Sequence, residues 1–245
     1  MIDPVTATIM IITGGVLVGV CVHFIPASAT GAMAAATGIA TGPSMLSAGA
    51  GLAGIYAAAY SIDSGLAPVI ISGAVGSALM LLITILCGNI VLAFGIGTPP
   101  VSGQTASGKS TFGGTKDIIT GFEQEGYRSP GTDGHGMPFQ TVVSGTIGAL
   151  MGGAGGALVF YAVYSMTLPA ISTENAVALA GIVAAGVFLI NSVLPAYVLV
   201  GKTEGMFDMK IRSMHRTFIS CLVTSSIVAC VIYAISWLAV SGVVA

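Results

Sequence analysis

The sequence predicts an all-α fold, a polytopic integral membrane protein of about six transmembrane helices plus a re-entrant or interfacial half-helix. Three observations lead there. Only 7% of the residues are charged and 55% are hydrophobic, against about 25% charged in ordinary soluble domains. The apolar residues fall in runs of about 20, the length at which a helix rising 1.5 Å per residue crosses a hydrocarbon layer of about 30 Å. The runs are built from Ala, Val, Ile, Leu and 35 glycines, a mixture that lets helix backbones approach closely in lipid. A transmembrane barrel would alternate polar and apolar residues with a period of two, and these runs do not. A net charge of −2 excludes a nucleic-acid partner held by a basic surface. Membrane lipid is the partner that the composition implies.

The first run, 5–25, ends at His23-Phe24-Ile25-Pro26. Ala27-Ser28-Ala29 imitates a signal-peptide cleavage site, but no Lys or Arg precedes the run and its apolar part exceeds a signal core, so it reads as a retained span. The stretch 26–43 is rich in Ala, Gly and Thr, too weakly hydrophobic for a span, and reads as the half-helix. Further spans are expected near 45–62, 67–96, 139–166, 175–200 and 217–241, those at 67–96 and 139–166 being long enough to tilt or protrude. Two polar loops, 97–138 and 201–216, interrupt what otherwise reads as a single membrane domain over 1–245.

Charge orients this arrangement. With six spans, both termini and the turns at Asp63 and Glu174 share one side, while all seven Lys and Arg residues fall in the two loops on the other. Lys109, Lys116 and Arg128 lie in the first loop, and Lys202, Lys210, Arg212 and Arg216 in the second. The positive-inside rule makes both loops cytoplasmic and both termini extracellular. Counting 26–43 as a seventh span would keep the two loops together, so weak hydrophobicity rather than charge decides against it. A faint internal repeat also shows: Gly49-Ala50-Gly51 to Tyr60-Ser61 resembles Gly153-Ala154-Gly155 to Tyr164-Ser165, and Asn89-Ile90-Val91-Leu92 resembles Asn191-Ser192-Val193-Leu194. It suggests a parallel duplication of the second and third spans in the fourth and fifth, as some transporters have.

Few residues offer chemistry. Gly103-Gln104-Thr105-Ala106-Ser107-Gly108-Lys109-Ser110 matches the phosphate-loop pattern letter for letter. That loop works only where a strand delivers it to a helix N-terminus, and here it follows a membrane helix and Pro99-Pro100, so it reads as a polar loop. Gly148, Gly152 and Gly156 recur every four residues with Gly145 beside them, as Gly15 and Gly19 do in the first span. Such a stripe forms a groove for a substrate or lipid, or, the reading favoured here, lets helices pack. Thr30, Thr37 and Thr41 share a face if 26–43 is helical. Thr37 and Thr41 then line a hydrated cation path, or bond back to their own helix.

Asn89 and Asn191 are amides in apolar spans; amide oxygens ligate hard cations such as Na⁺, and amides also tie helices together, which is the commoner role. No Asp or Glu sits in mid-span, although membrane carboxylates are the usual mark of an ion relay. Cys21, Cys87, Cys221 and Cys230 lack any C-x-x-C spacing, and His23, His135 and His215 lack any metal spacing. No catalytic constellation, resident cofactor site or definite metal site can be assembled in this chain, so catalytic and cofactor-binding residues are expected to be none.

Taken in order, several segments carry a resemblance. They are Val22-His23-Phe24-Ile25-Pro26, Ala34-Ala35-Ala36-Thr37-Gly38 with Thr41-Gly42, Ala48-Gly49-Ala50-Gly51-Leu52, Ser129-Pro130-Gly131-Thr132-Asp133-Gly134-His135-Gly136, and Val143-Ser144-Gly145 running into Gly152-Gly153-Ala154-Gly155-Gly156. Together they resemble the D subunit of the tetrahydromethanopterin S-methyltransferase of methanogenic archaea, through nearly the whole chain; the loop before Ser129 matches least well. The resemblance implies a multisubunit membrane complex that moves a methyl group from methyl-tetrahydromethanopterin to coenzyme M and couples the transfer to Na⁺ export. It also implies a corrinoid carried elsewhere in the complex, the C and E membrane subunits and the corrinoid-carrying A subunit as partners, and a non-catalytic part for this chain. A self-contained secondary transporter and a purely structural scaffold are the alternatives.

Overall fold

A computed structural model describes residues 2–25, 43–93, 139–199 and 209–241. The described residues are helical and include no strand, as an all-α membrane fold requires. Helix α1 spans Pro4–Cys21, α2 Pro43–Tyr60, α3 Leu66–Ala93, α4 Phe139–Thr167 and α5 Thr173–Leu199. A single turn, α6 at Met209–Arg212, leads into α7 at Met214–Val240. The expected half-helix 26–43 and the loop 97–138 lie outside the described residues, apart from Pro43, which opens α2.

Local chemistry sets these boundaries. Asp3 caps α1: its carboxylate accepts from the Val5 and Thr6 amides at 3.1 and 2.9 Å, and Pro4 follows at the first helical position. The bond from the Thr6 side chain, first, and that from its amide hold the Asp3 carboxyl below its ordinary range. The helix ends at Cys21 rather than near 25, where the Val22, His23 and Phe24 amides tighten to bonds three residues back. A 3₁₀ turn, Ile62–Ser64, joins α2 to α3 and exits through Gly65 at φ +91°, a left-handed backbone suited to glycine. The Asn175 amide bonds to the Ser172 hydroxyl, with Glu174 in the first turn of α5. Helical structure also enters the expected loop 201–216 from its far end, where Arg212, His215 and Arg216 stay exposed around the start of α7.

Helix α4 lies at the centre, packed on α1, α2, α3 and α5, while α7 covers α1 and α5 from outside. This placement explains its glycine content. A Cβ at Gly155 would lie 2.5 Å from the Gly14 carbonyl, and one at Gly14 would lie 2.5 Å from the Gly155 carbonyl, so α1 and α4 touch backbone to backbone. On the opposite flank, Gly153 meets the Gly73 carbonyl of α3, and Gly54 of α2 closes on the same carbonyl at 2.6 Å.

Five described helices, α1, α3, α4, α5 and α7, are long and apolar enough to cross a membrane. The exception is α2, where a span near 45–62 was expected, because three glycines, two serines and two tyrosines dilute it. Its Tyr56 and Tyr60 are exposed beside the Asp63 turn, a placement typical of a membrane–water interface. Outward faces of α3 and α7 carry Ile71, Leu79 and Ile83, and Ile219, Val223 and Ile227, as lipid-facing helices do. Ile2 and Pro4, Met166 and Pro169, and Tyr233 and Trp237 surround one cavity of about 350 Å³. The start of α1 and the ends of α4 and α7 therefore share one end of the bundle.

The hairpins of the proposed repeat, α2 with α3 and α4 with α5, each form a packed pair, yet matched glycines have unlike neighbours. Gly51 closes on the Phe188 ring, whereas its counterpart Gly155 closes on α1.

Candidate functional site

Where α1, α5 and α7 meet, the apolar interior is interrupted by a buried amide. Asn191 is 1% exposed. Its Nδ2 donates to the Gly15 carbonyl of α1 at 3.0 Å and to the Ser225 hydroxyl of α7 at 2.8 Å. Glycine at position 15 makes this possible, since a Cβ there would lie 2.6 Å from Nδ2 and would also collide with Ser225. The amide orientation follows from chemistry: turned over, Oδ1 would face the Gly15 carbonyl oxygen, and two acceptors cannot bond.

The other half of the amide has no such partner. Asn191 Oδ1 is buried without a hydrogen bond. Two interhelical bonds in lipid contribute together about 1–3 kcal/mol, and leaving a buried carbonyl oxygen unpartnered costs about 1–3 kcal/mol. These nearly cancel. Stability alone gives no reason for an amide here.

A second oxygen of the same residue is also released. Pro195 lies inside α5, four residues after Asn191, and has no N–H to bond back to the Asn191 carbonyl. That carbonyl takes a long bond, 3.7 Å, from the Cys221 thiol instead. Backbone oxygens freed by a break in a membrane helix are groups that coordinate cations in transporters.

The site is the middle of a longer polar seam. Along α1 in steps of four, Gly15 meets Ser225, Gly19 meets Cys221, and His23 shares a 2.7 Å bond with Thr217, each partner four residues further back along α7. The two elements therefore run antiparallel, held apart only by side chains that glycine admits. Thr217 is 0% exposed and His23 1% exposed, so the seam is sealed from lipid. Ser144 of α4 adds a bond of 2.6 Å to the Phe24 carbonyl near the same end.

The other residues singled out by the sequence are dispersed. Gly145, Gly148, Gly152 and Gly156 lie buried on α4. Gly148 and Gly152 face Cys21 of α1, each with 2.8 Å to a would-be Cβ, and Gly156 faces Ile55 and Phe188 at 3.3 Å. Asn89 lies in α3, but its side chain is outside the described residues, as are Thr37 and Thr41. Among the described residues no three His, Cys, Asp or Glu side chains gather as a metal site would need. One further buried polar atom, the Ser77 hydroxyl, lacks a partner; it lies where α2, α3 and α4 pack through Gly54, Gly73 and Gly153. Sequence reasoning overlooked Gly15, Ser225 and Pro195 as neighbours of Asn191. The four-residue spacing of Asn191 and Pro195 was the signal available for one of them.

Comparison with known proteins places this architecture. The family model described as the D subunit of tetrahydromethanopterin S-methyltransferase matches residues 4–225. Relatives bearing the same description are similar along most of their length. The one from Methanothermobacter marburgensis is 42% identical over 225 residues, covering 91% of this chain and 93% of the relative. Those from Methanopyrus kandleri and Methanosarcina barkeri are 39% and 38% identical, covering 96% and 99% of this chain and 99% of each relative.

Proposed function

The chain belongs to the family of D subunits of the tetrahydromethanopterin S-methyltransferase of methanogenic archaea, and we propose that in the complex it is a non-catalytic membrane component carrying part of a Na⁺ path. Other subunits of the methyltransferase are its partners; we assign the C and E membrane subunits to its flanks and the corrinoid-carrying A subunit to its cytoplasmic side. In this reading, methyl transfer from methyl-tetrahydromethanopterin to coenzyme M releases the free energy that moves Na⁺ outward. The observation that carries it is the buried, unpartnered Oδ1 of Asn191, on an amide whose Nδ2 is held by the Gly15 carbonyl and Ser225. A buried polar atom without a partner points to a missing ion or water.

The corrinoid is assigned elsewhere for a chemical reason. Among the described residues, His23 is buried against Thr217 and His215 stands exposed with its Nδ1 turned to the Arg212 carbonyl at 3.1 Å, so neither fits an enclosed corrinoid. This chain contributes apolar helices and oxygen ligands.

The backbone hydrogen bond missing at Pro195 within α5 favours one alternative, a self-contained carrier, because such carriers bind ions where a helix's own bonding is interrupted. Purification in mild detergent separates the two. The subunit reading expects corrinoid absorbance to travel with the chain, and a chain that repeatedly runs alone and moves Na⁺ alone in liposomes would replace it with the carrier.

In the cell membrane both termini are assigned to the outside and the loops 97–138 and 201–216 to the cytoplasm. In a cysteine-free background, Ser241→Cys is expected to react with an impermeant maleimide from outside right-side-out vesicles. Reaction only after the vesicles are opened would invert the orientation.

A further inference from the structure

The side chain of Asn191 fills its own binding site. Nδ2 lies 3.0 Å from the Gly15 carbonyl and 2.8 Å from the Ser225 hydroxyl, both oxygen acceptors, and so engages the lone pairs that a cation bound to those oxygens would use. Oδ1, the third oxygen, faces away without a partner. The terminal torsion of an asparagine has two broad wells half a turn apart, so exchanging the two ends of the amide needs no movement of the backbone.

We propose that the Asn191 carboxamide is a two-position toggle for a monovalent cation, with Nδ2 closing the empty site and Oδ1 turning in to join Gly15 and Ser225 as ligands when the ion arrives. This deepens the Na⁺ reading and rests on it. In the closed position the N–H donors satisfy the two acceptors, so the empty site is not left as a cluster of repelling oxygens. In the loaded position the cation satisfies all three oxygens, including the one that the closed position orphans. Each state leaves something unpaired that the other pairs, which keeps the two close in free energy and lets an outside event bias them. Every ligand is neutral, which suits a singly charged ion, because the cost of stripping water rises with the square of the charge. Oxygen ligands also select a hard ion over a soft one. Pro195 supplies a further oxygen within reach of the seam, the Asn191 carbonyl now held only by the Cys221 thiol.

The test uses the whole complex in liposomes, with the Na⁺ dependence of uptake measured for wild type, Asn191→Asp and Asn191→Leu across pH. Asp keeps the shape but, when ionised, places oxygen at both ends of the group, so the closed position is lost. The titratable groups facing position 191 are Cys221 on α7 and, two turns along the seam, His23; α5 brings none of its own. Asn191→Asp is expected to lower the half-saturating Na⁺ concentration by about tenfold, as an added negative ligand does, and to reduce the Na⁺ moved per methyl. Its uptake should fade as pH drops, since the protonated acid regains an O–H to close the site; wild type should lack that pH dependence. Should Asn191→Asp fail to assemble, Ser225→Ala replaces it, expected to raise the half-saturating concentration by about tenfold through loss of one ligand. Unchanged half-saturation and pH profile in Asn191→Asp, or unchanged half-saturation in Ser225→Ala, with Asn191→Leu still defective, would overturn the toggle alone and leave the Na⁺ reading in place. Unaltered coupling in Asn191→Leu would remove the Na⁺ reading and the toggle with it.

Discussion

Gly14→Ala is expected to destabilise the bundle by about 1–3 kcal/mol, the range for overfilling a packed interior. The added methyl would lie 2.5 Å from the Gly155 carbonyl and 2.8 Å from a Val159 methyl. A side chain can rotate away, but a carbonyl in mid-helix cannot, so α1 and α4 must separate. Separation weakens more than one contact, because α1 is also the helix on which α7 rests. Denaturation of the purified chain in mixed micelles measures the effect. Gly181→Ala is the control: nothing lies within 4 Å of its would-be Cβ, and replacing a helical glycine there stabilises by roughly 0.5–1 kcal/mol. Equal behaviour of the two variants would mean that the glycines are compositional rather than structural.

The bundle was legible in the sequence where physics acts locally. Apolar runs marked the long helices, because burial in lipid demands length and hydrophobicity together. The glycine stripe at 148, 152 and 156 was legible as one face of a helix. What the stripe could not reveal is that α4 is surrounded, so that Gly153 and Gly155, off the stripe, make the tightest backbone approaches, to α3 and to α1. A helix with neighbours on every side has no single face to read.

The site divides in the same way. Asn191 was visible as an amide among apolar residues; its Nδ2 ties helices, and its Oδ1 has no hydrogen-bond partner. The meeting of Gly15 with Ser225, of Gly19 with Cys221 and of His23 with Thr217 was silent because it depends on the register of α7 against α1, between residues far apart in the chain. No local pattern records such a register. The carbonyl released by Pro195 belongs to neither class. It follows from covalent structure alone, four residues before any proline in a helix.

Asn191→Leu carries the largest functional effect. Leucine has the branching of the amide, so the junction of α1, α5 and α7 stays filled, but it supplies neither the donor that holds Gly15 and Ser225 nor the oxygen that would replace water around an ion. An ion stripped of water in an apolar interior without oxygen ligands faces a penalty of several kcal/mol, and each 1.4 kcal/mol is a factor of ten. Passage through this junction is therefore expected to fall at least about tenfold, while loss of two interhelical bonds costs only about 1–3 kcal/mol of stability, leaving an assembled complex to assay.

The most direct measurement is the number of Na⁺ ions taken up per methyl group transferred, followed in one preparation of proteoliposomes holding the complete methyltransferase, wild type beside Asn191→Leu. A ratio at least about tenfold lower in the variant is the expected result and puts this chain in the ion path. An unchanged ratio would contradict it, making Asn191 a packing residue and placing the route for Na⁺ in a neighbouring membrane protein of the complex.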